Sequence, residues 1–252
     1  MRLWHQNQKW SNKQQGRIGE EEHTVMTTIA ENIKALGSEL PEGVKLIAVS
    51  KNHPSDAIME AYAAGQRRFG ENRVQEMTAK HEVLPKDIEW HLIGHLQTNK
   101  VKYIAPYVYM IHSIDSFKLL QEVNKQAAKA GRTIKCLLQI HIAKEETKFG
   151  FSPDECRHML AEEPWQELRH VSICGLMGVA TNTDDTSQVK SEFLSLQQLA
   201  AELKAGPMNN ADFCELSMGM THDYQLALDY GSTMVRIGTK IFGERDYSQR
   251  LY

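Results

Sequence analysis

Lys51 closes the apolar run Val44-Lys45-Leu46-Ile47-Ala48-Val49-Ser50-Lys51. A run that is apolar on both faces reads as a strand buried in a parallel sheet. A lysine at its end arrives at the carboxyl edge of the sheet, where α/β folds bind ligands. Alone, it reads as an exposed lysine. Far downstream, Met234-Val235-Arg236-Ile237-Gly238-Thr239 repeats the design as apolar strand, arginine and Gly-Thr turn. Glycine lets backbone amides approach a phosphate, and the threonine hydroxyl adds a donor. Many sugar-phosphate barrels carry such a turn, so its conjunction with Lys51 and Arg236 gives it meaning.

The other polar groups gather at the ends of apolar runs. They are Phe69-Gly70-Glu71-Asn72, His91-Leu92-Ile93-Gly94-His95-Leu96-Gln97, His112-Ser113-Ile114-Asp115, His141 before Glu145-Glu146, Gly175-Leu176-Met177-Gly178 and Leu216-Ser217-Met218-Gly219-Met220-Thr221. Asn72 reads as a helix cap or a ligand contact. His95, His112 and His141 share no short ligand spacing and read as satisfied structural histidines, so no metal site is expected. Glu145-Glu146 reads as a solvated loop, and Met177, Met218 and Met220 as packing residues. Ser217 lies in no G-x-S-x-G elbow, so a hydrolase nucleophile is not indicated. A strand-end lysine together with a phosphate turn suggests pyridoxal phosphate (PLP), a cofactor held by a lysine Schiff base.

The elements that must position these groups alternate from Thr27 onward. Strands are predicted near 44–50, 67–70, 89–95, 107–112, 134–143, 171–180, 213–217 and 233–237. Between them lie helices. Ser187 to Ala205 places Val189, Phe193, Leu196, Ala200 and Leu203 on one face. Ser116 to Ala130 stops at Gly131, and Pro54 opens a helix that Gly65 closes. Eight such units predict an α/β fold, a single (β/α)8 barrel over 27–252. A doubly wound open sheet is the alternative, weakened by the absence of G-x-G-x-x-G after the first strand. Residues 1–26 form a polar extension, expected to be poorly ordered and dispensable, with Met26 a plausible biological start.

The 252 residues are 41% hydrophobic and 24% charged, ordinary for a globular chain, and the net charge of −3 gives no sign of a nucleic-acid or membrane partner. Cys136, Cys156, Cys174 and Cys214 form no C-x-x-C pair. Cys136, Cys174 and Cys214 fall within predicted strands, where free cysteine packs as a small hydrophobe, as suits the cytosol. No apolar stretch approaches the ~20 residues that span a bilayer, and no signal peptide is evident.

In this order the runs Ala48-Val49-Ser50-Lys51, Phe69-Gly70-Glu71-Asn72, Trp90 to Lys100, Gly175-Leu176-Met177, Leu216 to Thr221 and Val235 to Gly243 closely resemble the pyridoxal phosphate homeostasis protein family. The resemblance covers nearly everything after residue 27. It implies a fold-type III barrel like the N-terminal domain of alanine racemase, with PLP on Lys51. It also implies a role in intracellular vitamin B6 and amino-acid balance, with PLP-requiring enzymes as clients and a monomeric state. Ser217, Gly238 and Thr239 match positions around the phosphate, Arg236 the arginine facing the pyridine nitrogen, and Asn72 the asparagine of the G-E-N motif. Thr221 stands where the family commonly has serine. The N-terminal extension is not a family feature.

An arginine beside the ring carries a consequence. PLP is an electron sink when its ring nitrogen is protonated, and a neighbouring cation disfavours that protonation. The chain also ends at Tyr252, soon after the eighth strand, with no room for the second domain of a racemase. No efficient catalysis is therefore expected. The alternative is a PLP-dependent amino-acid racemase or lyase. A barrel for another phosphorylated small molecule is a third reading.

Overall fold

The structure, a computed structural model, describes residues 28–145 and 149–244. The polar extension 1–26, and Glu146 beside Glu145, lie outside the described residues. Eight parallel strands close into a barrel in sequence order, with β1 (Lys45–Val49) pairing both β2 (Arg68–Glu71) and β8 (Met234–Ile237). The others are β3 (Glu89–Leu92), β4 (Met110–Ile114), β5 (Ile134–Ile140), β6 (Val171–Gly178) and β7 (Glu215–Met220). All eight predicted strands are present. β4 and β7 sit two or three residues further along the chain than predicted, and Cys214 falls outside β7 and is exposed.

The connecting helices are α1 (Ile29–Glu39), α2 (Ser55–Ala63), α3 (Val74–Val83), α4 (Val101–Ile104), α5 (Phe117–Lys129), α6 (Pro153–Glu162), α7 (Thr186–Ala205), α8 (Tyr224–Asp229) and α9 (Thr239–Phe242). Local chemistry sets their ends. Ser116 caps α5, and Gly131 follows it at φ +65°. Ser152 and Glu155 form a reciprocal capping box around Pro153, the first residue of α6. The Asp185 carboxylate accepts from the Ser187 and Gln188 amides at the start of α7. None of the described helices is long and apolar enough to cross a membrane.

Two layers of core result. The outer layer joins strands to helices: α7 buries Val189, Phe193, Leu196, Leu199 and Leu203 against it. The inner layer fills the barrel with Ile47, Met110, Leu137, Cys174, Met177 and Met234. Below it, the Lys45–Glu215 and Arg68–Glu89 ion pairs occupy the amino-terminal mouth. The carboxyl-terminal mouth is left to the residues singled out above.

Candidate functional site

Register decides which of those residues meet. β1 and β8 pair with Ile47 opposite Arg236 and Ala48 opposite Ile237. Continued, that register brings Ser50-Lys51 and Gly238-Thr239 out of neighbouring strand ends. On the other side Val49 is opposite Gly70, and the Ser50 amide donates to the Gly70 carbonyl at 3.0 Å. Lys51 and Asn72 thus leave adjacent strands at the same level. Lys51 is half-buried, in a turn where Asn52 takes φ +62°. The next residue, His53, stacks its ring on Phe242 of α9 at 4.9 Å, tying this turn to the segment that begins at Thr239.

Asn72 is half-buried and is not a helix cap, because α3 is entered through Arg73 without a side-chain cap. Its place depends on Gly94: a Cβ there would lie 2.4 Å from the Asn72 carbonyl oxygen. At the end of β7, Gly219 takes φ +91°, and a Cβ would lie 2.7 Å from that of Ala227. Glycine therefore lets the chain turn tightly against α8. This turn delivers Thr221, whose Oγ1 accepts from the Gly238 amide at 3.4 Å. The Thr221 and Thr239 hydroxyls thus meet the Gly238-Thr239 backbone at one strand-end corner.

Ser217 and Arg236 lie deeper. Arg236 is 4% exposed, and it donates from Nη1 to Ser217 Oγ at 2.5 Å and from Nη2 to the Gly178 carbonyl at 2.8 Å. Ser217 Oγ lies 3.0 Å from His112 Nδ1, and His112 Nε2 lies 2.8 Å from His91 Nδ1. Burial, with like charges nearby, holds both imidazoles neutral, His91 down at about 3 and His112 well below its usual value. Ser217 accepts from arginine, so its own hydrogen goes to His112 Nδ1. His112 then carries its proton on Nε2 and donates to His91 Nδ1, leaving the proton of His91 on Nε2. The result is one directed chain of hydrogen bonds from Arg236 across the barrel, ending on a buried His91 Nε2 with no partner among the described residues.

Burial also lowers the Arg236 guanidinium to about 10, opposed by Asp223, and the side chain remains a cation at neutral pH. None of the described ion pairs gives it a carboxylate; its acceptors are a neutral hydroxyl and a carbonyl. A guanidinium has five N–H donors. A ring nitrogen with a free lone pair can accept from one of them, whereas a protonated pyridinium would oppose the charge. The Thr221, Gly238 and Thr239 corner suits a phosphate, and Lys51 leaves the neighbouring strand end. These residues fit PLP with an unprotonated ring nitrogen.

Of the residues predicted from sequence, the structure brings Lys51, Asn72, Arg236, Gly238 and Thr239 to one end of the barrel. It also places Ser217 there, but fully buried under Arg236. Thr221 and His112 enter the arrangement although neither was predicted to be a site residue. The Gly-Met-Thr ending of β7 was the available signal for Thr221. His112, read as a satisfied structural histidine, is one, and His141 Nε2 likewise meets the Glu145 carbonyl at 2.9 Å.

Residues 26–246 match the family model described as alanine racemase, N-terminal domain. The "Pyridoxal phosphate homeostasis protein" of Aquifex aeolicus is 41% identical over 204 residues, 81% of this chain and 88% of the relative. Its human namesake is 40% identical over 220 residues, 82% of this chain and 78% of the relative. The solved structure of PipY from Synechococcus elongatus PCC7942 with PLP bound superposes with a TM-score of 0.78. It is 42% identical and covers 86% of this chain and all of that one. With this barrel, these strand-end residues and relatives matched over most of their length, the chain belongs to the pyridoxal phosphate homeostasis protein family, built on the alanine racemase N-terminal domain fold.

Proposed function

We propose that this chain binds pyridoxal 5'-phosphate covalently through Lys51 and serves PLP homeostasis, passing the cofactor to PLP-requiring enzymes rather than turning over a substrate. One observation carries the reading. A strand-end lysine leaves β1 beside the strand end that carries Gly238 and Thr239, next to a buried arginine whose described hydrogen-bond acceptors are neutral. The names of the relatives, and the PLP bound in PipY, support it.

Bound PLP would supply an aldehyde to the lysine and, with a protonated ring, an electron sink. The residues are assigned accordingly. Lys51 holds the aldehyde end. Thr221 and Thr239 hold the phosphate through their hydroxyls, and Gly238 lets the backbone approach it. Arg236 donates to the ring nitrogen and keeps protons off it, because a second positive charge there is disfavoured. Ser217 acts through Arg236, fixing the guanidinium from below. Asn72, set by Gly94, leaves the neighbouring strand end beside Lys51. The site can bind and orient, while its own arginine weakens the electron sink of the ring.

Absorbance of the PLP-loaded protein before and after borohydride, together with a screen for racemisation and decarboxylation of amino acids, tests this reading. A band abolished by borohydride, with no turnover that depends on Lys51, is expected. Rapid Lys51-dependent turnover would replace the carrier reading with the racemase or lyase. No band at all would leave a site for another phosphorylated molecule.

A further inference from the structure

The G-E-N motif places Glu71 at the end of β2, and the reading above does not use it. Glu71 is fully buried, as is Lys80 of α3, and Glu76 is 2% exposed. The three hydrogens of Lys80 Nζ are all committed: to Glu71 Oε1 at 2.7 Å, Glu76 Oε1 at 2.7 Å and the Ser50 carbonyl at 2.8 Å. Ser50 Oγ donates to Glu71 Oε1 at 2.6 Å, and the Asn52 amide donates to Glu76 Oε1 at 2.6 Å. The carbonyl of Ser50 and the amide of Asn52 belong to the two peptide groups that flank Lys51. Both are therefore gripped by one buried ionic cluster, and Asn52 beside them takes a left-handed φ of 62°.

A buried ion pair is weak evidence for stability, since desolvation consumes most of the attraction and apolar replacements are often as stable. Geometry is what such a cluster provides. Charge-assisted bonds from Lys80 and Glu76 hold the backbone on either side of Lys51, and Glu71 joins Lys80 to the Ser50 hydroxyl.

We propose that Lys80, Glu71 and Glu76 are positioning residues for Lys51: they fix the backbone direction in which it leaves β1, and so bring its amine to the aldehyde of a cofactor whose phosphate is held at the Thr221, Gly238 and Thr239 corner. The inference rests on the PLP reading. In the step concerned the lysine nitrogen bonds to the aldehyde carbon, and the aldehyde oxygen leaves as water. Misdirecting the amine slows that step and leaves phosphate and ring contacts intact.

Two ligands separate these effects. PLP can react with Lys51; pyridoxine 5'-phosphate has the same ring and phosphate but no aldehyde. For Lys80→Met and Glu76→Gln, calorimetry would measure pyridoxine 5'-phosphate affinity, and timed borohydride quenching would measure covalent attachment of PLP. Amide exchange of the 50–53 segment would be followed without ligand. The expected result is attachment at least tenfold slower in Lys80→Met and several-fold slower in Glu76→Gln. Pyridoxine 5'-phosphate affinity stays within threefold, and exchange is faster at Asn52. If Lys80→Met fails to fold, Glu76→Gln decides alone. Unchanged attachment in a folded variant would overturn the proposal, as would equal losses for both ligands, which mark a merely structural cluster. Absence of attachment in the unmodified protein would instead remove the PLP reading, and this inference with it.

Discussion

Ser217→Ala separates two roles for one hydroxyl. The family resemblance puts Ser217 beside the phosphate, while its Oγ lies fully buried between Arg236 Nη1 at 2.5 Å and His112 Nδ1 at 3.0 Å. Deleting it removes an acceptor from a buried cation and a donor from a buried neutral imidazole. A hydrogen bond to a charged group contributes about 1.5–3 kcal/mol and a neutral one about 1 kcal/mol. The loss should therefore be about 3 kcal/mol. In a domain of this size that lowers Tm by roughly 6–12 °C, at about 2–4 °C per kcal/mol. Phosphate affinity should barely move. Thr221→Ala should do the reverse, with Tm nearly unchanged and the Kd for PLP raised about tenfold or more by loss of one bond to a charged phosphate. Differential scanning calorimetry and PLP titration of both variants measure this. A Ser217→Ala protein with unchanged Tm and tenfold weaker PLP binding would refute the reasoning and restore Ser217 to the phosphate.

Three further predictions follow from the same geometry. His91, held at about 3, and His112, held well below its usual value, are neutral when folded and protonate when unfolded below pH ~6.5, so their contribution is full above that pH and lost as pH falls. By pH 5 the loss from His91 is about 2 kcal/mol. Burial raises Glu71 to about 7, despite Lys80, so the folded state takes up a proton there and gains stability as pH falls from 7 toward 4.5. Glu71→Gln should therefore steepen the loss between pH 7 and 5 in urea melts; a flatter profile would contradict this linkage. Nitrogen-15 NMR of labelled PLP should show an unprotonated ring nitrogen in the unmodified protein at neutral pH. Arg236→Glu should move it toward protonation, and a pyridinium beside intact Arg236 would refute its role. A chain starting at Met26 should keep its Tm and PLP content, since we propose one barrel over 27–252; loss of either would assign residues 1–26 a part in it.

The barrel was legible because its strands are short apolar runs separated by capped helices, and such runs read the same in sequence and in space. β7 was misplaced for the same reason: Phe213 and Cys214 extend the apolar signal backward, while Gly219 looks like an end although the strand runs on to Met220. Lys51, Arg236 and Gly238-Thr239 were legible because strand ends are fixed places in this fold. The partners of Ser217 were not, since they lie 19 and 105 residues away and only barrel closure brings them together. Glu76 and Lys80, four apart on a helix, look like a solvated surface pair. Their burial is set by Glu71 and by the Ser50 carbonyl, which no local pattern encodes.

The account turns on a covalent bond at Lys51. Loading the protein with PLP, reducing with borohydride and mapping tryptic peptides by mass tests it most directly. The reduced cofactor's mass is predicted on the peptide carrying Lys51, and Lys51→Ala should lose both that label and the borohydride-sensitive band while retaining weaker binding through the phosphate contacts. Label on a different lysine, or an unchanged band in Lys51→Ala, would contradict the assignment.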